Sequence, residues 1–234
     1  MRILQPLLVV VALAFPGLAS AQRAPQVVVE LFTSQGCVSC PPADAVFHRI
    51  AARPEILALA LHVDYWDYLG WKDIFGQPAH SRRQRAYAAT EGKRSIYTPQ
   101  MIIGGVDRVV GSDLEEVEKS LDAHLTLPQR AMVDLAREGD KVRLRVAPAD
   151  VNGAGASDIH VVRYVPEAVV TIDSGENAGQ VITYTNIVTD WLTIARWDGV
   201  TAAELTFEAP GTEPVAVLVQ REHNGPMLTS ARLP

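Results

Sequence analysis

The sequence predicts an α/β half followed by an all-β half. Three observations carry this expectation. Buried-strand runs alternate with helix-period segments from Gln26 to about Leu125. The helical period stops at Leu127-Pro128-Gln129, which reads as a linker. Beyond it, short strand-like segments recur between turn residues.

The elements follow in order. Val27-Val28-Val29-Glu30-Leu31-Phe32 is a near-continuous apolar run, as in a buried parallel strand. Pro42 to Ala52 reads as a helix with Ala45, Val46 and Ile50 in its apolar stripe. Ile56 to Val63 is a second buried strand, and Ser81 to Ala89 a basic helix. Gln100 to Ile103 and Arg108 to Val110 flank Gly104-Gly105 as a hairpin. Asp113 to Leu125 is an amphipathic helix with Leu114, Val117, Leu121 and Leu125 on one face, capped by Asp113 or Ser112. In the second half, Val133 and Leu135 answer Val142, Leu144 and Val146 across Glu138-Gly139-Asp140. Strands are expected at Ile159–Val165, Val169–Ile172, Val181–Val188, Leu192–Trp197, Ala203–Phe207 and Val215–Gln220, spaced as in a β-sandwich.

Composition narrows the function. The chain has 234 residues, 48% of them apolar, which is ample for a core. Its 27 acidic and 21 basic residues leave a net charge of −6, against a broad nucleic-acid-binding face. Arg2, the apolar run Leu7 to Phe15, Pro16-Gly17 and Ala19-Ser20-Ala21 form a secretory signal pattern with cleavage after Ala21. The expected product is secreted or periplasmic and has no membrane span after cleavage.

The two cysteines, Cys37 and Cys40, exclude a disulfide-stapled scaffold and a four-cysteine zinc site. A bridge between them closes too small a loop to stabilise the fold much. They lie between a strand and a helix. Unpaired N–H groups and the positive dipole end at a helix start favour thiolate there. The neighbouring thiol can then resolve a mixed disulfide. Pro41-Pro42 supports the placement, because proline suits a first helical turn. Soft-metal (copper) binding by the two thiolates, with His62 as a third ligand, is a second reading. A non-catalytic pair in a partner-binding protein is a third.

These motifs resemble the thioredoxin superfamily. Strand–CxxC–helix is followed by Tyr97-Thr98-Pro99-Gln100-Met101-Ile102-Ile103, similar to the strand that opens with the superfamily's cis-proline. The resemblance implies a thioredoxin-like domain over residues 22–127, after the signal peptide 1–21, with a β-sandwich-like domain over 128–234. It also implies Cys37 as attacking thiol, Cys40 as resolving thiol, and Pro99 cis and facing the pair, with Thr98 before it. Gly36 departs from the tryptophan that precedes CxxC in thioredoxins, and a long insertion replaces the second helix. The mature chain also resembles a family of bacterial secreted proteins known as domain of unknown function 1223. The matching stretches are Glu30 to Asp44, His62 to Asp73, Arg83 to Tyr87, Tyr97 to Met101 and Gly175 to Gly179, with Tyr184 and Asn186.

Further candidates surround the pair. Glu30 is expected as a buried acid that shuttles protons to Cys40, or as a rim salt bridge. Tyr65, Trp66 and Trp71 crowd the insertion after the second strand, as a substrate-docking surface or a local core. Asp64 and Asp67 are supporting acids or loop caps. Arg82, Arg83, Arg85, Lys93 and Arg94 read as a solvated basic face. The function expected is exported thiol–disulfide exchange of reductase or isomerase type. Its substrate is a protein or small-molecule disulfide or thiol, it works with a redox partner, and it needs no cofactor.

Overall fold

The computed structural model describes residues 27–233. The expected signal peptide, residues 1–21, lies outside them. The first seven elements are β1 (Val27–Thr33), α1 (Pro41–Ala51), β2 (Ile56–His62), α2 (Pro78–Thr90), β3 (Gln100–Ile103), β4 (Asp107–Val110) and α3 (Leu114–Leu125). A single 3-10 turn, Asp67–Leu69, interrupts the insertion before α2. Beyond α3 the regular elements are all β: β5 (Ala131–Glu138), β6 (Lys141–Pro148), β7 (Ser157–Thr171), β8 (Val181–Trp197), β9 (Ala203–Glu208), β10 (Val215–Arg221) and β11 (Met227–Leu233). Asp113 caps α3, its side chain accepting from the Glu116 amide. The hairpin expected across Glu138-Gly139-Asp140 pairs Val133 with Val146 and Leu135 with Leu144.

The expected division into a thioredoxin-like α/β fold and a following β-sandwich is overturned. One mixed sheet of eight strands runs in the order β11-β10-β7-β8-β2-β1-β3-β4, uniting strands from both halves of the chain. A separate three-stranded sheet contains β5, β6 and β9. β1 and β2 pair in parallel, and β8 joins β2 at Ala60 and Ile187. The Asn186 side chain strengthens that seam by donating to the Ala58 carbonyl at 2.9 Å.

The physical reason lies in the strands themselves. Val215-Ala216-Val217-Leu218-Val219 is buried residue after residue, like β1 and β2. A sandwich strand alternates between core and solvent, whereas this one is covered on both faces. On one face, Val215, Val217 and Val219 pack with Val142, Leu144 and Val146 of the small sheet. On the other, Ala216 and Leu218 pack with Leu57, Leu59, Leu61 and Tyr87. The four short strands expected between residues 159 and 197 are two long ones, β7 and β8, paired through register shifts near Ile159 and Arg163. Strand β11 was not expected at all.

The parity of β1 divides the molecule. Val27, Val29 and Leu31 face α1 and α3, with Ala43, Phe47, Ile50 and Leu121. Val28 and Phe32 face α2, with Tyr87. The far ends of β7 and β8 pack with Trp71 and Phe75 from the insertion, and Thr185 of β8 meets His48 of α1 at 2.8 Å. Among the described residues no helix is long and apolar enough to cross a membrane.

Candidate functional site

The Cys37–Cys40 pair is a disulfide at the start of α1. Cys40 is the N-cap residue, and its carbonyl accepts from the amides of Ala43 and Asp44. The helix begins here because Pro41 and Pro42 fill its first turn, where no intrahelical N–H bond is required. Cys37 is 4% exposed and Cys40 0%. Between them Val38 stands out in solvent.

The insertion closes over the pair. A methyl placed on Gly36 would come within 3.2 Å of the Trp66 Cβ and carbonyl, so this side chain needs a glycine beneath it. That contact accounts for a glycine at position 36. The Trp66 indole donates to Thr98 Oγ1 at 2.7 Å. The Thr98–Pro99 peptide is cis. A methyl on Gly111 would contact Ala43, Leu31 and Pro99 alike, which brings Pro99 beside the first turn of α1. Cys37, Cys40, Trp66, Thr98 and Pro99 therefore gather at one place. Trp71 joins through Gln35, its indole donating to Gln35 Oε1 at 2.8 Å. Tyr65 lies beside Trp66, ring centroids 5.5 Å apart, and donates to Gln84 Oε1 on α2 at 3.1 Å.

The second half of the chain supplies a clamp. Asn177, in the loop after β7, donates from Nδ2 to the carbonyls of Gln35 and Cys37, both at 2.9 Å. Gly175, at φ +78°, lets that loop lie against the Trp71 Cβ. The Gly175-to-Gly179 loop is thus more than a turn.

Behind the disulfide lies a buried polar group set. Asp44 occupies the apolar face of α1 and accepts from Thr33 Oγ1 at 2.9 Å. Burial, opposed by the nearby His62 and by the Thr33 hydrogen bond, pushes its carboxyl up to about 7. His62 Nδ1 contacts Asp73 Oδ2 at 2.7 Å, and the Gln35 amide donates to the same oxygen at 2.8 Å. The His62 ring meets Tyr184 edge-on at 4.8 Å. Burial and the charges of Asp44 and Asp73 push the Tyr184 hydroxyl well above its ordinary range. Four buried atoms in this set have no hydrogen-bond partner among the described residues: Asp44 Oδ2, His62 Nε2, Gln35 Nε2 and Tyr184 Oη. Buried polar atoms are nearly always satisfied, so four orphans behind one disulfide mark a chemically unfinished place.

Glu30, the acid expected to serve Cys40, points to the opposite face. It accepts from Arg83 at 2.6 and 2.9 Å and from Tyr87. Arg83 is therefore an internal partner and not part of a solvated face, whereas Arg82 and Arg85 are exposed. Asp64 accepts from Ser81, and Asp67 accepts from the Asp73 amide. The acid that sits with the cysteines is Asp44. It falls one turn after Cys40 and is buried with Ala43 and Phe47, whereas Ala45, expected in the apolar stripe, is exposed. Asp73 and Gln35 gave no signal of this placement in the sequence. As for a soft metal, His62 Nδ1 is engaged by Asp73, and among the described residues no three histidine, cysteine or acidic side chains group to hold one.

Comparison with known proteins adds the family. The profile of a protein family of unknown function, DUF1223, matches residues 28–220. A crystal structure of an Agrobacterium tumefaciens protein superposes with a TM-score of 0.76 at 31% identity, covering 91% of this chain and 96% of the other. HBP35 of Porphyromonas gingivalis shares the fold, with a TM-score of 0.59 at 15% identity over 91% of this chain and 76% of its own. No curated protein matches.

Proposed function

Because this chain belongs to the DUF1223 family, whose function is not known, we propose its activity from the site alone: thiol–disulfide exchange through Cys37 and Cys40. The observation that carries this reading is the disulfide at the N-terminus of α1, backed by a buried acid with an unpartnered oxygen.

In the reduced protein, the Cys37 thiolate attacks one sulfur of a substrate disulfide. A Cys37–substrate bond forms and the other substrate sulfur leaves as a thiolate. Cys40 then gives its proton to the Asp44 carboxylate and attacks the Cys37 sulfur. The Cys37–Cys40 bond re-forms, the second substrate thiolate departs, and substrate has gained two electrons. A carboxyl near 7 can take that proton at neutral pH and return it. A dithiol partner restores the reduced pair by the reverse steps. Trp66 and the exposed Val38 and Tyr68 offer the apolar ground on which a substrate chain docks. The reading places the protein outside the cytoplasm, where such a pair meets disulfides.

The burial of both sulfurs supports a second reading, a non-catalytic disulfide in a partner-binding protein. An insulin-reduction assay separates the two. The wild-type chain turns over with dithiothreitol, and Cys37→Ser loses that turnover to the uncatalysed rate. Equal rates for the two proteins would leave the non-catalytic reading standing.

A further inference from the structure

On the opposite face of the large sheet, a cavity of about 390 Å³ opens between α2, β7, β8 and β10, outside the cysteine site. We propose that it binds a small oxyanion that also carries an O–H, of the kind found in a hydrogen phosphate group or an α-hydroxycarboxylate.

The anion follows from the first turn of α2. That turn contributes Ala79 and His80 to the wall, has no side-chain cap and contains no acidic residue. Pro78 has no N–H, and the His80 and Ser81 amides donate to the Gln77 carbonyl, so the Ala79 amide and the helix dipole make this end attractive to negative charge. Arg196 lies on the rim, held loosely by Asp158 at 3.6 Å and Glu222 at 3.8 Å. The floor is Arg83, stacked over Trp191 at 3.9 Å and fixed by Glu30, Tyr87 and Gln220.

The O–H requirement follows from His80, which is 2% exposed. Its Nδ1 lies 2.8 Å from the His62 carbonyl, which can only accept, so Nδ1 carries the hydrogen. Burial, reinforced by Arg83, depresses the ring to about 4, so it is neutral at pH 7. Nε2 is then a lone pair with no hydrogen-bond partner among the described residues, on a ring that lines the cavity. A bare anion would face that lone pair; an anion with an O–H donates to it. His160, held by Thr193 at 3.0 Å and likewise depressed by burial and Arg83, adds a second neutral ring.

Calorimetric titration of the full chain at pH 7 with phosphate, sulfate, lactate and propionate tests this. Sulfate matches phosphate in shape but has no proton to donate, and propionate is lactate without its hydroxyl. Phosphate or lactate should saturate one site and bind at least tenfold tighter than its proton-less counterpart. Which of the two does so assigns the ligand class. Thr193→Glu and Arg196→Glu, both at exposed positions, should each weaken that binding tenfold or more. Absence of saturation by both, equal affinity within each pair, or binding untouched by both substitutions overturns the proposal.

Discussion

Glu30 and Asp44 are both buried carboxyls close to the central strand, and the molecule treats them in opposite ways. On the α2 face, Glu30 receives two hydrogen bonds from Arg83 and a third from Tyr87, and Gln220 closes the network. On the α1 face, Asp44 receives one from Thr33, has no cation bonded to it, and leaves Oδ2 bare. A closed network holds its charge in place and contributes geometry. An open one leaves a carboxyl near neutrality, able to exchange a proton. The contrast separates a structural acid from a chemical one more sharply than burial does, since both are buried.

The largest test breaks the closed side. Glu30→Gln leaves the Arg83 guanidinium buried without a counter-charge, at a cost of about 3–5 kcal/mol. Urea unfolding should show the midpoint fall with little change in slope. A loss under about 1 kcal/mol would mean that Arg83 is solvated and the two faces are less different than drawn.

Asp44→Asn acts on the open side and should have the opposite sign. The folded value near 7 lies above the ordinary 3.8. The stability Asp44 contributes is therefore present below about pH 4 and lost as pH rises towards 7. At pH 8 the wild-type chain must ionise a buried carboxyl, and the asparagine variant need not. The variant should be more stable by about 2–4 kcal/mol at pH 8 and no different near pH 3. Its thiol–disulfide exchange should slow together with that gain. A gain equal at both pH values would trace to packing and not to ionisation.

Asn177→Ala should give the smallest effect. It removes both hydrogen bonds to the cysteine loop, at about 1–3 kcal/mol, and should speed reduction of the disulfide by a small-molecule thiol. Unchanged reduction kinetics would show that the loop holds its shape without the clamp.

Local order was legible in the sequence. The strand, helix and turn signals from Val27 to Leu125 appear in their expected order, with bounds shifted by a few residues. Partnership was not. Period-two patterning identifies a strand but says nothing of which edge it joins, and the run Val215 to Val219 was read as one more sandwich strand although its unbroken burial pattern signals cover on both faces. Glu30 was expected to serve Cys40 because it lies on the strand that leads to the cysteines. A slip of one residue along a strand exchanges the faces, and so Glu30 lies with α2 while Asp44 stands with Cys40. The orphaned Gln35, His62 and Tyr184 atoms meet only after the insertion and the β7–β8 loop close over them, so no spacing announces them.

The central sheet has a consequence for how the chain reaches this state. Leu57, Leu59 and Leu61 of β2 pack with Val162, Tyr164, Val188, Ala216 and Leu218, all from the second half of the chain. The first half cannot bury its own middle strand, and most pairings that complete the sheet are distant in sequence. Such high contact order makes for slow acquisition of structure, because large loops must close before their contacts reward them. A nascent chain halted near Leu127 would expose the open edge of β2 and its leucines. The chain must be nearly complete before the cysteine site can assemble.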